Sequence, residues 1–186
     1  VEGSLPHFRK ALERSPEDAA LHVMYARVLY KAGRSDEFHA AAEKALELDP
    51  GNQELRMMQY SSYRAAGNLQ AALQALLAIK EAGGQPAELL PHIRFIAQSL
   101  GKNKSAIPAY QAILAIDPSD VDSYAALATI YFSEGDSAKF EKNLGKAIEL
   151  APERAAVLYT ELGSKLLAAA GKSKPKLAEA AEMFRK

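Results

Sequence analysis

The residues best suited to chemistry are few, and they fall into no catalytic pattern. His7, His22, His39 and His92 lack metal-ligand spacing, and none stands beside a serine nucleophile motif. His22 is expected on a buried helix face and the other three on the surface. The chain has no cysteine, which excludes a disulfide framework, a thiolate metal site and a cysteine nucleophile. Gly171-Lys172-Ser173 resembles the end of a phosphate-binding loop. The first glycine of such a loop would be residue 166, which is Leu166, and the segment follows an expected helix rather than a strand. Carboxylates are plentiful, but Glu54, Glu88 and Asp122 sit at expected helix starts, where they complement the helix dipole. The sequence therefore predicts neither an enzyme nor a cofactor or metal site.

Composition narrows the function classes further. Lys plus Arg number 23 and Asp plus Glu number 23 in 186 residues, a balance that argues against nucleic-acid binding. The hydrophobic fraction of 48% is ordinary for a folded chain. No apolar run approaches the roughly 20 residues that span a bilayer. A chain without cysteine suits cytoplasm and periplasm equally, so the compartment stays open.

The elements that position these side chains come from a repeat. Pro16, Pro50, Pro118 and Pro152 lie on a 34-residue period, with Gly84 at the missing mark. Gly33, Gly67, Gly101 and Gly135 follow the same period. Apolar Leu12, Leu46, Leu114 and Ile148 precede the marks by four residues, Lys80 being the exception. Each unit reads as two helices. Residues 121–132 carry Tyr124, Leu127, Ala128 and Tyr131 at helical spacing. Gly135 stops that helix, and Asp136 or Ser137 caps the next one, over roughly 137–150, which buries Phe140, Leu144, Ala147 and Ile148. Pro152 then blocks continuation. No segment alternates with the period of a strand, so an all-α chain is expected.

The period and segments such as Gly33-Arg-Ser-Asp-Glu, Ala45-Leu-Glu-Leu-Asp-Pro50 and Ala106-Ile-Pro-Ala-Tyr resemble tetratricopeptide repeats of a bacterial-type scaffold. The resemblance covers essentially the whole chain. It implies a single right-handed α-solenoid: a half repeat at 1–16, full repeats at 17–50, 51–84, 85–118 and 119–152, and a divergent, truncated one at 153–186. It also implies a concave groove, lined by first helices, that holds a peptide or partner protein. Both ends read as incomplete, which suggests a piece of a longer protein and possible self-association through exposed ends.

Three local expectations follow from the residues. Ala26/Phe38, Tyr60/Ala72, Arg94/Ala106 and Ala128/Phe140 each join a large residue to a small one, as facing positions of a close-packed hairpin require. Pro6 and Pro108 fit only in a first helical turn, with Ser4 and Ser105 as caps. The Gly- and Pro-rich stretch at 81–91 predicts a kink or a shortened first helix, and Gly171 to Lys176 an enlarged loop before a last helix at about 176–186.

The positions between the core stripes of the first helices give the candidate site. They are Val23, Arg27, Tyr30 and Lys31; Met57, Ser61 and Arg64; His92, Phe95 and Ser99; and Ala125, Thr129 and Phe132. Large apolar side chains here mark an interaction surface. Arg27, Lys31 and Arg64 fit either a helix C-terminus or a partner's carboxylates. The Lys/Asn/Arg clamp with which some family members hold C-terminal carboxylates is not matched, since Val23, Met57, Met58 and Pro91 occupy that stretch. The leading expectation is a non-catalytic scaffold for a protein or peptide ligand. The alternative is the recognition arm of a larger enzyme whose catalytic domain lies outside this sequence.

Overall fold

The computed structural model describes residues 2–170, every one of its regular elements being helical among them. The phosphate-loop-like segment, the enlarged loop and the last expected helix lie outside those residues. The chain divides into two compact units, with the boundary between Ser99 and Leu100.

The first unit holds α1 (Leu5–Arg14), α2 (Ala19–Lys31), α3 (Ser35–Leu48), α4 (Gln53–Ala65), α5 (Leu69–Glu81) and nearly all of α6 (Pro86–Leu100). The second holds α7 (Ile107–Ile116), α8 (Val121–Glu134), α9 (Ser137–Leu150) and α10 (Ala155–Ala170), with short 3-10 turns before α7 and α10. The helical hairpins α2–α3, α4–α5 and α8–α9 are the most extensively packed pairs. This is an all-α helical-repeat fold.

The period has a backbone cause. Gly33, Gly67, Gly101 and Gly135 all adopt positive φ, between 70° and 76°, the left-handed conformation that ends a helix and that residues with a side chain avoid. Beyond Gly33, Gly67 and Gly135 the next N–H reaches back to close the turn, as from Asn68 to the Tyr63 carbonyl at 2.8 Å. Side chains at the same phase then start the following helices. Asp18, Asn52 and Asp120 cap first helices, accepting from the N–H of Leu21, Leu55 and Ser123. Asn68 and Asp136 cap second helices in the same way.

Most members of the large and small pairs expected from the sequence are buried. Ala26, Phe38, Ala72, Ala106 and Ala128 are fully or almost fully buried, and Tyr60 and Phe140 are buried as well. Arg94 is half-buried. In the first unit Ala26, Leu29, Phe38, Ala42 and Ala45 form one continuous cluster.

Several local expectations are corrected. α6 is not shortened: it spans 15 residues and runs through Pro91. Pro91 cannot donate to the Ala87 carbonyl, but it lies in the second turn, so the helix loses one bond and continues. Pro6 and Pro108 do sit in first turns. Ser105 does not cap α7, however; Asn103 accepts from the Ser105 N–H at 2.9 Å and starts the preceding 3-10 turn instead. Ser4 occupies the cap position of α1 without a side-chain capping bond.

Candidate functional site

Within the first unit the first helices lie side by side, and their facing side chains form two joined features. Arg27 of α2 donates to Glu54 of α4 at 2.8 Å. Tyr60 of α4 meets His92 of α6, with the hydroxyl 3.2 Å from Nδ1 and the rings 5.0 Å apart. Arg64, one turn beyond Tyr60, holds its guanidinium over two rings, 5.8 Å from Tyr60 and 5.3 Å from Phe95 of α6. Burial pushes the Tyr60 phenol above its ordinary range, and the Arg64 charge opposes that shift. Phe95 is 43% exposed although large and apolar. Arg64, His92 and Phe95, three expected site residues, thus come together, with Tyr60 as the member the sequence reading assigned only to packing.

Arg27 and Arg64 differ in charge balance. Arg27 is neutralised by Glu54, and its Nε is buried without a partner. Among the described residues Arg64 has ring contacts and no carboxylate, and exposed Lys31 has none either. Both cations stand in the last turns of their helices, where the dipole favours them.

The second feature is a notch between α2, α3 and α4, with a volume of about 330 Å³. Tyr30, Ser35, Ser61 and Ser62 bring hydroxyls to it, while Phe38, Ala65 and Ala66 supply apolar wall. Tyr30 does not project freely, because its ring packs edge-on against Phe38 at 5.2 Å. Ser62 is held by His39 Nε2 at 3.1 Å. His39 is therefore no plain surface residue: it stacks on Tyr63 with ring centres 4.0 Å apart, and burial lowers its pKa. His22 is also only half-buried, its Nε2 lying 2.7 Å from the Pro16 carbonyl oxygen.

The remaining expected site residues are dispersed. Met57 is half-buried on α4, and Ser99 is exposed at the end of α6. In the second unit Phe132 packs on Phe140 of its own hairpin at 5.2 Å. Thr129 is only 3% exposed, so its side chain belongs to the packed interior and offers nothing to a partner. The even spacing of first-helix positions suggested exposure there; the many buried small residues of α8 override it. The second unit has its own open cavity of about 630 Å³ beside α10, where Lys102 meets Glu161 at 3.4 Å and Val157 is exposed. Among the described residues no group of three His, Asp or Glu side chains is placed to hold a metal.

Two tetratricopeptide-repeat family models match this sequence, over residues 1–53 and 121–154. Those two segments carry tetratricopeptide repeats. Solved structures similar to the chain include YrrB, described as a TPR protein with an unusual peptide-binding site. It is 19% identical, with a TM-score of 0.45, over 96% of this chain and 93% of that one. MamA is 21% identical, with a TM-score of 0.49, over 83% of this chain and 84% of that one. A MamA fragment from Desulfovibrio magneticus RS-1 is 18% identical, with a TM-score of 0.46, over 90% and 91% of the two chains. No curated protein matches the sequence.

Proposed function

We propose that this chain is a protein-interaction scaffold that holds a partner peptide or protein on the first-helix face of its first unit. The observation that carries the reading is the Arg64–Phe95 pair. A large apolar ring stays exposed beside a guanidinium that no carboxylate among the described residues neutralises. Aromatic and arginine side chains of this kind dominate binding energy where they are desolvated by a partner. His92 joins the pair through Tyr60, and Met57 and Ser61 lie on the same helix as Arg64.

Peptides selected from a random display library on the whole protein provide the test. Replacing Arg64 and Phe95 together by alanine should cost about 2 kcal/mol or more of binding, roughly thirtyfold in affinity. The helical circular dichroism and melting should stay close to those of the parent, because both side chains are exposed. Undiminished binding by a folded double variant would remove the site from this face.

A further inference from the structure

We infer that the notch between α2, α3 and α4 is an anchor pocket for a tyrosine side chain of the partner, with the partner's adjacent carboxylate held by Arg64. This rests on the proposed first-helix face and specifies the chemistry it recognises. At about 330 Å³ the notch is at the bottom of the range for ligand pockets, which suits one large side chain rather than a whole cofactor.

Its lining is matched to an aromatic ring with a polar tip. Ala65 and Ala66 give the exposed apolar wall, and Phe38 lines the notch from the core, fully buried and fixed. Tyr30, Ser35 and Ser61 present hydroxyls for which the described structure contains no hydrogen-bond partner, whereas Ser62 is already engaged by His39. An aliphatic side chain would leave those hydroxyls facing apolar surface, which is costly once water is excluded. A phenol can join them.

Charge supplies the second half of the match. Arg64 lies three residues beyond Ser61 on α4, next along the helix from the notch lining, with its guanidinium over Tyr60 and over Phe95 of α6. Its rings support the guanidinium from Tyr60 and Phe95, leaving its N–H groups available for a carboxylate. Lys31, at the end of α2, adds a second cation with no acidic neighbour in the described structure. The occupant is therefore a protein segment carrying tyrosine next to aspartate or glutamate.

The experiment pans a random-peptide phage library on the whole protein and on two variants, then titrates the selected synthetic peptides by fluorescence anisotropy. Ala65→Trp, at an exposed position, fills the notch without removing any core atom; Arg64→Glu reverses the charge next to the notch lining. Melting curves establish that both are folded. The expected result is peptides with tyrosine beside an acidic residue, weakened at least about tenfold by A65W. R64E should select tyrosine beside lysine or arginine instead. Selected peptides without that pair, or peptides that bind both variants within about twofold of the parent, overturn the pocket. If such peptides still lose binding to the Arg64/Phe95 double alanine variant, the face stands and only its chemistry is wrong. A library that yields no binder to the parent overturns both.

Discussion

At the scale of single residues, His39 is the group whose surroundings most constrain its behaviour. It lies on α3 against α4, stacked on Tyr63, with Nε2 bonded to Ser62 and Nδ1 buried without a partner. The neutral tautomer that donates from Nε2 leaves Nδ1 as a bare acceptor. Protonation would put a donor there with nothing to receive it, which is why burial lowers the pKa despite the nearby Glu43 and Asp36 of its own helix. The facing α4 offers only the uncharged Ser62 and Tyr63. The unfolded chain then binds the proton more readily than the folded one. Stability is full above the ordinary histidine value of 6.5 and falls as the pH drops below it. Thermal melts from pH 8 to pH 5 should show this loss, and His39→Gln should flatten it. An identical slope in the variant would assign the dependence to other groups. None of this was legible in the sequence, where His39 has only the pattern of an exposed helical position; stacking across two helices leaves no mark in spacing along one.

Elements were far more legible, because their boundaries depend on local backbone chemistry. The periodic glycines announce left-handed helix ends, and all four have that conformation. The capping residues carry an equally local signal in Asp18, Asn52, Asn68, Asp120 and Asp136, of which only Asp136 was singled out. Removing a cap is expected to be modest: Asn52→Ala should destabilise by about 1 kcal/mol in denaturant titration. Gly84 shows where the sequence reading fell short. It stands at the mark that proline occupies in the other repeats. In fact Gly83 takes the left-handed turn, while Gly84 packs against the end of α5. A Cβ on Gly84 would come 2.5 Å from Ile79 Cγ2 and 2.8 Å from its carbonyl oxygen. Gly84→Ala should therefore cost about 1–3 kcal/mol through forced displacement, measured by the same titration. Equal stability would mean that this loop adapts freely. The expected shortening of α6 fails because Pro86 takes the first helical position and Pro91 lies inside the helix at the loss of one bond, and composition alone does not give those positions.

For the molecule as a whole, the chain divides after Ser99 into two compact units. Helical repeats hold together through neighbouring contacts, so a core lesion should act mainly within its own unit. Leu76→Ala on α5 removes a fully buried side chain and should cost about 2–5 kcal/mol. Hydrogen exchange should accelerate in α4 and α5 more than in α8 and α9; uniform acceleration would indicate one cooperative block. The sequence revealed the repeated hairpin and three members of the Arg64–His92–Phe95 cluster. It did not reveal the notch, which needs side chains from α2, α3 and α4 at once. It also placed Thr129 on a surface, where a side chain is in fact buried. Hydrogen exchange on the whole protein, with and without a library-selected peptide, tests the central claim most directly. Slowed exchange concentrated in α2, α4 and α6 is the predicted result; slowing confined to α3 and α5, or to the second unit, would contradict it.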